Sequence, residues 1–141
     1  MKFTIRELKT QKEMLLCCSL LKQLQPELTL SGMKENLALM LPMGYRMFGI
    51  FKGSQLVGCT GIWTGAKFYC GKYMEIDNFV IDKNLRSAGL GKKLTDFISA
   101  LAKKEKCKVV MLDAYTTNHA SHKFYLREGF IIKGYHFIKF L

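Results

Sequence analysis

Two carboxylates, Glu75 and Asp77, stand two residues apart in the apolar run EIDNFVI. On a strand that spacing sends both side chains to the same face. A carboxylate so placed can take a proton from an attacking nucleophile, directly or through a water. The same pair also fits a solvated or ion-paired strand face. A few residues on, RSAGLGKKL (Arg86 to Leu94) sets two glycines one residue apart and follows them with a lysine pair. The stretch falls where a strand pattern hands over to a helix pattern. The first amides of a helix have no internal partner, and its dipole favours an anion there. Glycines let the main chain come close to a ligand. The corner therefore reads either as a pyrophosphate cradle, with Arg86, Lys92 or Lys93 adding charge, or as a tight loop before a helix. A third group, Asn118, His122 and Tyr125, has the i, i+4, i+7 spacing of one helical face.

Other chemistries find less support. The P-loop pattern G-x-x-x-x-G-K-[ST] is absent, and Leu94 occupies the place of the third glycine of a dinucleotide fingerprint. His119, His122 and His136 are spread over a helix and a strand without a second cluster of ligand types, so no metal is expected. Cys17, Cys18, Cys59, Cys70 and Cys107 are odd in number, two are adjacent, and no C-x-x-C occurs. They read as reduced, mostly buried thiols of a cytoplasmic protein. No Cys/His arrangement calls for a covalent intermediate.

These groups need elements to hold them. MKFTIREL alternates as a first strand, and QKEMLLCCSLLKQL carries Met14, Cys17, Cys18 and Leu21 at helical spacing. Beyond Pro26, Ser31 can cap a second helix, GMKENLALML. YRMFGIFKGSQLVGCTGIWTG reads as a hairpin turning at Lys52-Gly53-Ser54, and KYMEIDNFVI as another strand. A long amphipathic helix follows, with Leu90, Leu94, Phe97, Ile98 and Leu101 as its stripe. CKVVMLDAY is nearly continuous in apolar residues, as for a strand covered on both faces. HASHKFYLRE is a short helix stopped by Gly129, and FIIKGYHFIKFL can form two closing strands around Gly134. The expected fold is α/β (mixed α+β), in the order βααβββαβαββ, with a mixed, mostly antiparallel sheet and helices on both faces. The closing strands also offer an edge on which two chains can pair as a homodimer.

The chain has 141 residues, 49% of them hydrophobic, which suits one domain over 1–141 with a real core. The formal net charge is +11, from 22 basic and 11 acidic side chains, so anionic partners are favoured. The basic residues are dispersed. Their densest cluster, KKEKCK (Lys103 to Lys108), reads as a solvated helix end rather than a nucleic-acid patch. The first residues are too charged for a signal peptide, and no apolar run approaches a membrane span.

Two segments together carry a family resemblance. VIDKNLRSAGLG resembles the acetyl-CoA signature of the GNAT N-acetyltransferases, R-x-x-G-x-G after a strand. NHASHKFYLREGF resembles that family's next signature, an Asn followed by F-Y-x-x-x-G-F. The match runs from about Glu75 to Phe130. Ser87 stands where a glycine is common in the family and Lys83 where a proline is common. The resemblance implies the acyl-CoA N-acyltransferase fold and acetyl transfer from acetyl-CoA to a primary amine, by direct attack in a ternary complex. It implies that the backbone of Phe79, Val80 and Ile81 pairs with the pantetheine arm. The amides of Ser87, Ala88, Gly89, Leu90, Gly91 and Lys92 would hold the pyrophosphate, with Arg86 nearby. Asn118 would cap its helix, bond the cofactor, or both. Tyr125 would protonate the leaving thiolate, and Glu75 or Asp77 would act as the base. Trp63, Phe68, Tyr69 and Tyr73 fit either an acceptor pocket or plain core. Two other readings are a non-catalytic acyl-CoA-binding sensor or scaffold, which Tyr125 and the strand carboxylates argue against, and a basic binder of nucleic acid or acidic protein. The resemblance implies a small-molecule or peptide amine as acceptor, with neither membrane nor nucleic acid expected.

Overall fold

The computed structural model describes residues 2–141; Met1, with which the expected first strand opens, lies outside them. Five strands form one sheet in the order β1-β2-β3-β4-β5. They are β1 (Phe3–Leu8), β2 (Arg46–Lys52), β3 (Gln55–Lys67), β4 (Gly71–Ile81) and β5 (Val109–Leu112). The first four are antiparallel neighbours and β5 runs parallel to β4. The hairpin between β2 and β3 turns at Gly53, whose φ of +62° suits glycine. The helices are α1 (Gln11–Leu15), α2 (Cys18–Leu21), α3 (Leu30–Met40), α4 (Leu90–Lys104) and α5 (His119–Arg127).

Each face of the sheet buries its own core. On one, α1–α3 bring Met14, Leu21, Met33 and Leu37 against Leu8, Tyr45, Met47, Cys59 and Val80. On the other, α4 brings Leu90, Leu94, Ile98 and Ala102 against Ile50, Ile62, Met74 and Ile76. The expected α4 stripe holds, with Phe97 and Leu101 at its half-buried margin. Arg46 joins β1 to the end of α4, its guanidinium meeting Glu7 at 2.8 Å and Glu105 at 3.0 Å.

Four expectations change. The first helix divides into α1 and α2. A straight helix would bury Met14, Cys17, Cys18 and Leu21 along one stripe, and the turn at Leu16–Cys17 adds Leu20 to the buried set while Leu16 faces out. Thr29 rather than Ser31 caps α3, its hydroxyl accepting from the Gly32 amide at 3.0 Å, so Ser31 lies inside the first turn. β5 has only four residues and is half-buried at most, rather than covered on both faces. Residues 130–141 form no strand. A four-residue edge offers few ladder bonds, each worth about 1 kcal/mol net. Fixing each tail residue costs about 1–2 kcal/mol in backbone entropy. From Ile131 onward the large apolar side chains of this tail stand in solvent, Ile131 at 77% exposure and Phe140 at 91%.

Candidate active site

The site begins where the sheet divides. β4 pairs with β3 as far as Ile81, but with β5 only from Tyr73 to Ile76, opposite Val109 to Leu112. From Asp77 to Ile81 the β5 side of β4 has no strand partner, so main-chain donors and acceptors of Phe79, Val80 and Ile81 line an open edge. A bulge falls inside this stretch. The register to β3 shifts between Cys59 and Gly61, and Asn78 takes up the extra residue with φ +59°. It turns Asp77 and Asn78 toward α2 and α3.

After β4 the chain makes a short 3-10 turn, Lys83–Leu85, capped by the Asp82 carboxylate on the Asn84 amide at 2.9 Å. Arg86 follows, extended and exposed, reaching Gln23 Oε1 at 3.4 Å. Ser87 and Gly89 both hold positive φ, +70° and +76°. Gly89 is the N-cap of α4 and no side chain caps it. The Lys93 amide bonds to the Gly89 carbonyl at 3.1 Å and is the first with a helical partner. The amides of Gly89, Leu90, Gly91 and Lys92 precede it and point out of the helix end, with Ser87 and Ala88 leading into them. A Cβ on Gly89 would meet nothing within 4 Å, so the approach is open. Gly91 has a second task, because a Cβ there would come within 3.0 Å of the Phe124 ring, which seats α5 beside α4. Lys92 is committed by its side chain to Asp96 at 3.0 Å and Glu128 at 3.7 Å, so its offering at the corner is its amide.

α5 closes the cleft from the β5 side. Asn118 is its N-cap, its side chain accepting from the Ser121 amide at 3.2 Å. Tyr125 packs edge-on against Phe79, with centroids 6.0 Å apart, and against Phe124 and Phe130. The phenol therefore stands beside the open edge of β4. Burial pushes its pKa up to about 12, so it keeps its proton throughout the neutral range. His122 Nε2 meets the Tyr115 carbonyl at 2.7 Å.

Glu75 and Asp77 lie on one face, as their spacing implies, the face of α1–α3. Asp77 Oδ2 accepts from Trp63 Nε1 at 2.9 Å. Partial burial, then the nearby charges of Asp113 and Asp77, push the Glu75 carboxyl above the usual range. Asn78 Nδ2 donates to the Tyr45 hydroxyl at 3.1 Å. Trp63 thus anchors the site. Phe68 and Tyr69, at the β3–β4 turn, are exposed and belong to neither core cluster. Two partnerships are invisible in sequence order. The Tyr45–Asn78 bond needs the bulge. His136 Nδ1 meets Asp113 Oδ2 at 3.2 Å, placing the tail near Glu75. Only the β3–β4 register, which sets Trp63 opposite Glu75, could have pointed to the Trp63–Asp77 contact.

The acetyltransferase (GNAT) family model matches residues 16–130, most of the chain. The chain belongs to the GNAT acetyltransferases. It is 25% identical over 137 residues to an uncharacterized N-acetyltransferase, YhdJ, of Bacillus subtilis, covering 96% of each. It is 32% identical over 94 residues to a probable spermine N(1)-acetyltransferase of Bacillus subtilis subsp. natto, covering 65% of this chain and 54% of that protein. An aminoglycoside N-acetyltransferase solved in complex with CoA shares the fold, with a TM-score of 0.84 at 16% identity, over 99% of this chain and 95% of that one. This GNAT chain is accordingly an acetyl-CoA-dependent N-acetyltransferase, with a five-stranded mixed sheet and helices on both faces. No helix among the described residues is long and apolar enough to cross a membrane.

Proposed function

We propose that acetyl-CoA lies in the cleft between β4 and β5, and that a primary amine attacks its thioester directly from the α2–α3 side. The observation that carries this reading is the early end of the β4–β5 ladder. It leaves a strand edge free for the amide-bearing pantetheine arm, in line with an uncapped helix start for the diphosphate. In this arrangement Phe79, Val80 and Ile81 pair with the arm. The amides from Ser87 to Lys92 hold the diphosphate, with Arg86 and Lys93 as the free cations beside it. Asn118 caps α5 and so fixes where Tyr125 stands.

The amine arrives protonated and gives a proton to a strand carboxylate. Glu75, whose carboxyl is pushed above the usual range by partial burial and the charges of Asp113 and Asp77, fills that role, and Asp77 orients the ammonium. The nitrogen lone pair then forms the N–C bond as the C–S bond breaks. Tyr125 supplies a proton to the departing sulfur and recovers one released by the acylated nitrogen. The net change is one ammonium and one thioester to one amide, one free thiol and one proton in solution. The five free cysteines, three of them buried, fit a cytoplasmic setting. The spermine named for one relative is itself an amine. The exposed tail and the unpaired outer edge of β5 support a homodimer in which each chain covers the other's edge.

Substitution Tyr125→Phe tests the proton donor. It keeps the packing on Phe79 and removes the hydroxyl. Turnover is expected to fall by about 10²-fold or more, while calorimetric affinity for acetyl-CoA stays unchanged. Unchanged turnover would remove Tyr125 from the chemistry, and an absence of heat with acetyl-CoA would remove the cleft assignment.

A further inference from the structure

Beside the open edge, between β4 and helices α2 and α3, lies a cavity of about 200 Å³. Its inner wall is made by Leu28, Met33, Leu37 and Met40; Met33 and Leu37 are buried. Asp77 is the single charged side chain lining it, and Asn78 sits next to it. Gln25 and Asn36 stand on its exposed rim, and the inner polar groups are Asp77, Asn78 and the Tyr45 hydroxyl. Asp77 Oδ2 is taken by the indole of Trp63, which leaves Oδ1 as an acceptor. Asn78 spends an N–H on Tyr45, which leaves its amide oxygen as a second acceptor. Both residues line the same cavity. One ammonium, with three donors, satisfies them, and the α3 wall of Leu28, Met33, Leu37 and Met40 carries no charged side chain to receive a second.

We propose that the acceptor is a small monoamine carrying a compact apolar group, of alkyl, thioether or aryl type. Its ammonium is held by Asp77 and Asn78, and its apolar body lies on the α3 wall. The proposal rests on the acetyl-transfer reading of the cleft and names the substrate class for it. Size points the same way. A dry cavity of about 150 Å³ accepts benzene, so this one holds about eight heavy atoms. That is below the roughly 300–1,000 Å³ of sites for larger organic ligands. An extended polyamine or an aminosugar laid along the α3 wall would put a further ammonium or several hydroxyls against leucine and methionine, with only the neutral Gln25 and Asn36 amides at the rim to meet them. The net charge of +11 adds general repulsion toward polycations. Methionines on the wall adapt to branched, sulfur-bearing or aromatic bodies alike.

The test measures thiol release from acetyl-CoA by the full chain. The acceptors are isoamylamine, 3-(methylthio)propylamine and phenethylamine on one side, and spermidine, spermine and glucosamine on the other. The apolar monoamines are expected to exceed the others in kcat/KM by roughly tenfold or more. Asn36→Asp puts a carboxylate on the exposed lip of the cavity, where folding is not at stake. It should raise spermidine kcat/KM roughly tenfold and leave isoamylamine within about threefold. Calorimetry should show isoamylamine binding to chain saturated with CoA, and binding lost in Asp77→Asn. A preference for polyamines or aminosugars in the unaltered chain would overturn the proposal and leave acetyl transfer standing. A chain that gives no heat with acetyl-CoA would overturn both.

Discussion

Among single residues, Glu75 gives the clearest pH signature. Burial and the neighbouring Asp113 and Asp77 raise its pKa above the ordinary value. Its ionisation is thus less favourable in the folded chain than in the unfolded one. A carboxyl raised in this way contributes stability that is complete below the unfolded pKa and is lost as pH rises through the folded one. At neutral pH the charged form is a net burden. Glu75→Gln should therefore raise the melting temperature at pH 7 and leave it nearly unchanged near pH 4. The same substitution should lower kcat by about 10²-fold or more, and the acidic limb of the pH–rate profile should vanish with it. If that limb persists and rate is retained, another group takes the proton. Spacing alone placed Glu75 and Asp77 on one face, because strand alternation is rigid. Their unlike partners were not legible, because Trp63 and Asp113 reach them across strands whose register the chain order does not specify.

At the scale of elements, the corner before α4 follows local rules closely. Glycine at the cap, the apolar stripe from Leu90 to Ile98 and the stop at Gly129 are all short-range signals, and each was readable. The β2–β3 hairpin was readable for the same reason. The division of α1 from α2 and the brevity of β5 were not, since both answer to packing across the sheet. Ser87 is where local preference and fold disagree. It holds φ +70° in an exposed loop, a conformation that costs an L-residue about 1–2 kcal/mol. Ser87→Gly would remove that cost and give back part of it through greater freedom of the unfolded chain. A net gain of about 0.5–1 kcal/mol is expected, a rise of about 2–5 °C in thermal melting. Affinity for acetyl-CoA should be kept, because the amide stays. A lower melting temperature would show that the serine side chain does something at the corner.

For the whole molecule, the tail departs most from expectation. The apolar segment from Phe130 to Leu141 reads as two strands around Gly134, yet such a pattern says only that a segment suits a sheet edge, not that its own sheet provides one long enough. Nine-tenths of the Phe137 surface is exposed. Sedimentation equilibrium should show a dimer dissociating on dilution, and Phe137→Lys with Phe140→Lys should yield a monomer that still binds acetyl-CoA. A monomer in the unaltered chain at high concentration would count against self-association through this edge. The four-pair ladder joining β4 to β5 has a further consequence. Among the described residues it is the sole strand pairing that ties the β5–α5 portion to the larger part of the sheet. It is therefore the cheapest place for the native protein to open in part. In deuterated buffer the amides of Val109–Leu112 should exchange sooner than those of β2 and β3. Because acetyl-CoA would touch both sides of that seam, saturating it should slow those four amides most, a mass-action protection visible by mass spectrometry with no catalysis at all.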